Sequence, residues 1–129
     1  MKKLLLMLAL ALGTMGPAQA VETKVFGVMF YADWCHYCQI LDPKLDKVRK
    51  EFEGTAFKFQ RIDMTDDSRL YASFNEAKAL GLGRIVRAYG QGTGFMLLVD
   101  ARTGQVVDQI VARHSESQIK AKIQQALDS

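Results

Sequence analysis

The sequence is poor in most of the residues that carry chemistry. Its 129 residues include two cysteines, two histidines, two prolines and one tryptophan. Two cysteines supply half of the four ligands a closed zinc site wants. Charge is nearly balanced, with 17 Lys and Arg against 14 Asp and Glu. No basic cluster stands out, which argues against a nucleic-acid partner. No apolar run approaches the roughly twenty residues that cross a bilayer. There is no internal repeat and no low-complexity tract. At 129 residues, one small domain is the expectation.

What is present begins with a leader pattern. Lys2-Lys3 is a positive start, Leu4 to Leu12 is an apolar stretch, and Ala18-Gln19-Ala20 is a small-x-small cleavage site. This reads as a secretory signal peptide over residues 1–20. An uncleaved N-terminal anchor is the bland alternative. No cysteine follows the apolar stretch closely, which leaves a lipoprotein anchor unsupported. The mature domain then covers residues 21–129. Losing Lys2 and Lys3 leaves 15 basic residues against 14 acidic ones, so the formal charge falls from +3 to +1. The expected location is the periplasm of a Gram-negative host, with no stable membrane insertion after cleavage.

Both cysteines and the only tryptophan lie in Phe30-Tyr31-Ala32-Asp33-Trp34-Cys35-His36-Tyr37-Cys38. An apolar run, Val25 to Tyr31, precedes the pair and reads as a buried strand. After it, Leu41, Leu45, Val48 and Phe52 recur on one face of a helix. Cys35 is thus placed at or just before a helix N-terminus. Unsatisfied N–H groups and the positive end of the helix dipole favour a thiolate there. Cys38 lies one turn on, placed to resolve a mixed disulfide at Cys35. A structural bridge is the competing reading in an exported protein. A bridge spanning so short a loop restrains the unfolded chain least, which favours a redox role.

The remaining pattern gives a strand over 56–64 and a helix over 67–80. One or two further helical turns follow over 84–89, then strands over 95–100 and 105–112, and a last helix. Phe57, Phe59 and Ile62 are the inward positions of the second strand, and Pro43 is expected to kink the first helix. Ser115 and Gln118 form a capping box before the last helix. The order β-α-β-α-β-β-α indicates an α/β domain with a central mixed sheet and flanking helices.

Trp34-Cys35-His36-Tyr37-Cys38, with Pro43 eight residues after Cys35 and a strand before it, resembles the active site of the thioredoxin superfamily. The likeness covers most of the mature chain. It implies a thioredoxin-like fold and thiol–disulfide exchange with protein thiols or disulfides. The catalytic pair would be Cys35 and Cys38. Trp34, His36, Tyr37, Pro43, Thr93 and Gly94 would bind substrate or tune the pair. No cofactor beyond the redox pair is implied, and no resident metal. The resemblance suggests a reductant kept reduced by a DsbD-type membrane electron carrier. His36 pulls towards an oxidant, since an imidazolium stabilises a nearby thiolate.

Two departures from the family stand out. Its cis-proline position holds Gly94, after Thr93; the expected bond is trans, leaving an open space beside the sulfurs. The family's buried acid and its lysine partner fall at Met29 and Phe59, which leaves Cys38 without a dedicated base; Asp33 or water are the substitutes. Trp34 is expected as a lid over the sulfurs, and His114 as a surface residue. Met64 and Met96 are expected in the core. The rival reading is a soft-metal module, with the two thiolates holding copper or zinc.

Overall fold

β1 (Val25–Tyr31) is apolar along its whole length because both faces of the sheet are covered. Val25 and Met29 enter one core, and Phe26, Val28 and Phe30 enter the other. The computed structural model describes residues 21–129. The expected signal peptide, residues 1–20, lies outside the described residues.

Among the described residues, four strands and four helices follow one another as β1, α1 (His36–Glu51), β2 (Phe57–Asp63), α2 (Asp67–Ala79), α3 (Gly83–Tyr89), β3 (Phe95–Asp100), β4 (Val106–Val111) and α4 (Glu116–Asp128). α3 is the one addition to the expected order; the turn or two after Gly83 form a separate helix. The sheet order is β2-β1-β3-β4. β1 pairs parallel with β2 and antiparallel with β3, so it is central, and β4 closes the hairpin with β3. The sheet is therefore mixed.

The first core gathers Met29, Met96, Leu98 and Ile110 under Leu41, Leu45 and Val48 of α1 and Ile119 and Ile123 of α4. Both cysteines belong to it. The second core gathers Phe30, Ile62, Leu97 and Val99 with Ala77 of α2 and Ile85 and Val86 of α3. Phe30 and Phe95 stack there with centroids 4.9 Å apart. A fully buried side chain of this size stabilises the fold by about 1.5–3 kcal/mol. The uneven alternation of β2 has the same cause as the apolar run of β1. Phe57 and Phe59 face the first core and Ile62 the second.

α1 runs unbroken through Pro43. Gly27 lets β1 approach its neighbours closely, since a Cβ there would lie 2.5 Å from the Phe57 ring and 2.9 Å from Met96 Sδ. The capping box forms as expected, with Ser115 Oγ accepting from Gln118 N–H and Gln118 Oε1 accepting from Ser115 N–H. Among the described residues, no helix is long and apolar enough to cross a membrane.

Candidate active site

The chain leaves β1, turns through Asp33 and Trp34, and enters α1 at Cys35. Cys35 is the N-cap residue, with extended backbone angles of φ −86° and ψ 117°. Its sulfur accepts the Cys38 backbone N–H at 3.2 Å. A cysteine here does the work usually given to Ser, Thr, Asp or Asn, satisfying an N–H that the helix itself cannot pair. Cys38 sits one turn later, fully buried, with its thiol 3.7 Å from the Phe30 carbonyl. Both cysteines are free.

The two sulfurs are tuned in opposite directions. Burial pushes the Cys35 pKa up. Hydrogen bonds from the Cys38 thiol, from the Thr93 hydroxyl and from the backbone N–H groups of Cys38 and Tyr37 outweigh it, and the net direction is down from 9.0. Burial raises Cys38 to about 11, helped by the Cys35 sulfur and opposed by backbone groups at Ala32 and Gly94. The surroundings therefore favour the thiolate at Cys35 and the protonated thiol at Cys38.

Thr93 and Gly94 reach this pair from the loop before β3. Gly94 carries φ +93°, and no peptide bond among the described residues is cis. The expected open space beside the sulfurs does not exist. A Cβ on Gly94 would lie 2.8 Å from Tyr37 Cβ and 3.3 Å from Cys35 Sγ. The loop has moved in, and the Gly94 N–H donates to the Phe30 carbonyl at 2.8 Å. A proline has no N–H and could not make this bond. The β1–β3 ladder thus continues to the edge of the site.

Trp34 does not shut over the sulfurs as a lid. It is 66% exposed, and its indole N–H donates to the Thr65 carbonyl at 3.1 Å. Thr65 also accepts the Asp33 N–H through its hydroxyl at 3.0 Å, and Arg69 reaches Asp33 at 3.6 Å. The loop before α2 therefore braces the loop before α1. His36 is exposed and stands edge-on to Tyr37, with centroids 5.7 Å apart. The groups that lower Cys35 are Cys38, Thr93 and Tyr37, and the imidazole is not among them. Tyr37 is 62% exposed beyond its contact with Gly94. Pro43 lies on the exposed side of α1.

Met29 is buried as expected, and Phe59 is half-buried beneath the Arg49 guanidinium at 4.7 Å. His114 differs from the surface placement expected of it. It is half-buried, and its Nδ1 accepts the Val111 N–H at 3.0 Å. Burial first, then Lys122, Arg113 and Lys44, lower its pKa against an opposing pull from Asp108. Met96 is in the first core and Met64 packs against the second.

Four participants escaped the sequence reading. The Phe30 carbonyl has no side-chain signal at all. Thr65 carries no site signal in the sequence. Asp42 and Arg61 form an ion pair between α1 and β2. A signal for that pair exists: Asp42 lies four residues after Cys38, and Arg61 is a polar residue on the inward-facing side of β2. Among the described residues, no three His, Cys, Asp or Glu side chains gather into a metal-ligand group.

The thioredoxin family model matches residues 18–77. Thioredoxin 2 of Plasmodium berghei (strain Anka) is 37% identical over 67 residues. That match takes in 52% of this chain and 41% of the relative, so the chain spans well under half of that protein. The crystal structure of a thiol:disulfide interchange protein of the thioredoxin family from Chlorobium tepidum TLS matches with a TM-score of 0.55. It is 26% identical, over 81% of this chain and 80% of that one. A mutant thioredoxin from Halobacterium salinarum matches with a TM-score of 0.54 and 24% identity, over 81% and 75%. Fold, placement of the cysteine pair and sequence likeness agree: residues 18–77 match the thioredoxin family model, and the chain has a thioredoxin-like fold.

Proposed function

We propose that this protein is an exported thiol–disulfide oxidoreductase whose redox pair is Cys35 and Cys38. The observation that carries the reading is the split between the two sulfurs. Cys35 is lowered at a helix N-terminus, and Cys38 is raised beside it. The Cys35 thiolate attacks one sulfur of a substrate disulfide. That S–S bond breaks, a substrate thiolate departs and takes a proton, and a mixed disulfide remains at Cys35. Cys38 then loses its proton and attacks Cys35 Sγ. The Cys35–Cys38 disulfide forms, the second substrate thiol leaves, and the substrate has gained two electrons. Reversal of the same steps oxidises a dithiol.

Reduction is the favoured direction, from the thioredoxin-like Trp34-Cys35 context. The similarity to a thiol:disulfide interchange protein supports exchange with protein thiols or disulfides. The leader pattern over residues 1–20 supports export to the periplasm. A reductant there needs its electrons renewed, and a DsbD-type membrane carrier fits that role. Tyr37, Thr93 and Gly94 border Cys35 and, with the exposed Trp34 before it, form the surface a substrate peptide meets. The soft-metal reading has no geometric observation in its favour.

Two experiments test this. The Cys38→Ala variant should hold mixed disulfides at Cys35; a reactive Cys35 that traps no protein overturns the reading. The reduction potential of the pair sets direction. A value near about −270 mV supports the reductase, and one near about −120 mV an oxidase. If there is no reversible couple and the protein retains copper or zinc, the metal module replaces it.

A further inference from the structure

The exchange cycle asks Cys38 to give up a proton from a fully buried thiol. A general base must stand within hydrogen-bond reach or one water away. Most ionisable groups around the first turns of α1 are engaged elsewhere. Asp33 faces outward to Arg69 at 3.6 Å. Asp63 of β2 accepts from Thr65 N–H at 3.0 Å. Lys44 donates to the carbonyls of Ala112 and His114 at 2.7 and 2.9 Å. Asp46 pairs with Arg49 at 3.1 Å, and His36 is exposed beside Tyr37. From the Gly94 loop, only Thr93 and backbone groups act on the pair.

Asp42 is different. It follows Cys38 by four residues in α1, so the two side chains are neighbours one turn apart, with Cβ atoms about 5–6 Å from each other. Its side chain is 21% exposed, and the carboxylate is paired with Arg61. Arg61 is fixed in turn. Its guanidinium lies 4.8 Å over the Tyr31 ring and 5.6 Å from the Phe59 ring centroid. β2 sets Arg61 directly beside Met29 of β1, a member of the buried cluster that holds Cys38. A positioned carboxylate thus stands one helical turn from the resolving thiol, on the α1 side that faces β2.

Resting on the exchange reading above, we propose that Asp42 takes the Cys38 proton, directly or across one water, and that Arg61 is the positioning residue that holds it. In the step, the S–H bond of Cys38 breaks and the proton passes to the Asp42 carboxylate. The thiolate attacks Cys35 Sγ, and the leaving thiolate departs. Asp42 then returns the proton to solvent or to that leaving group.

The test isolates the resolving step. Cys35 is loaded with thionitrobenzoate, using the aromatic disulfide reagent that carries it. Release of the second thionitrobenzoate is then followed from about pH 6 to about pH 10. Asp42→Asn should slow that release at neutral pH by about 100-fold or more. The deficit should shrink as pH rises towards the Cys38 pKa of about 11, where hydroxide does the base's work. Loading of Cys35 itself should be unchanged, and Asp42→Glu should restore most of the rate. The double variant Asp42→Asn with Arg61→Met leaves no unpaired cation and should show the same pH-dependent deficit. A rate equal to wild type, or one lowered equally at every pH, overturns the role of Asp42. Failure of Cys35 to load in the wild type overturns the exchange reading itself.

Discussion

The Cα of Gly94 lies against the Cβ of Tyr37, with no room for a side chain between them. The contact joins the loop before β3 to the segment between the two cysteines. It exists because Gly94 holds φ +93°, which L side chains rarely adopt. Gly94→Ala should therefore destabilise the fold by about 1–3 kcal/mol, read as a lower denaturation midpoint with an unchanged slope. Gly94→Pro should do worse, since it also removes the N–H bound to the Phe30 carbonyl. A proline variant as stable as the parent would mean that the loop readily takes another path.

Alkylation should distinguish the two thiols. Cys35 should react with iodoacetamide with a midpoint below 9.0, because hydrogen bonds at the N-terminus of α1 hold its thiolate. Cys38 should stay silent until far higher pH, given its pKa of about 11. Mass mapping of a brief pulse at neutral pH reads both, and dominant labelling of Cys38 would reverse the assignment of nucleophile.

The same shifts set the pH dependence of reduced-protein stability. Cys35 ionises more easily folded than unfolded. Its contribution is present above 9.0 and is lost as pH falls through the folded value. Cys38 ionises less easily when folded. It therefore costs stability as pH climbs from 9.0 towards about 11. Denaturation of the Cys38→Ala variant across alkaline pH should lack that loss, and an identical alkaline decline in both proteins would place its origin elsewhere.

Lys44 ties α1 to the turn before α4 through two backbone carbonyls. Lys44→Met keeps the stem and removes the charge. A hydrogen bond to a charged group is worth about 1.5–3 kcal/mol, and a loss near the lower end is expected because one carbonyl regains water. Ser115→Ala, at the start of α4, should cost about 0.5–2 kcal/mol. Thermal or denaturant unfolding measures both, and no change in either would mean the turn before α4 is held by packing.

Much of this was legible in the residues, and the misses have a common origin. Leu41, Leu45 and Val48 announced α1, and Ser115 with Gln118 announced α4, because short-range periodicity and capping are local facts. The unbroken apolar character of β1 correctly marked a central strand. The filled space at Gly94 was not legible, since it depends on where a loop travels after losing a constraint. The brace from Trp34 to Thr65 joins residues 31 apart in sequence, and its acceptor is a backbone carbonyl that every residue carries. Asp42 and Arg61 were not legible as a pair, because only the β1–β2 register brings Arg61 beside Met29.

The two-sided core has a consequence for how this molecule can change. Both sulfurs belong to the layer under α1 and α4, while α2 and α3 cover the opposite face. Thr65 and Arg69 fasten that opposite face to the loop carrying Trp34. Only Phe30 links the core under α2 and α3 directly to the thiols, through the carbonyl that meets Cys38 Sγ and the Gly94 N–H. A shift of the α2 N-terminus, by contrast, is handed to the rim of the site through Asp33 and Trp34. One half of the protein holds the thiols, and the other, through Thr65 and Arg69, positions the rim around Cys35.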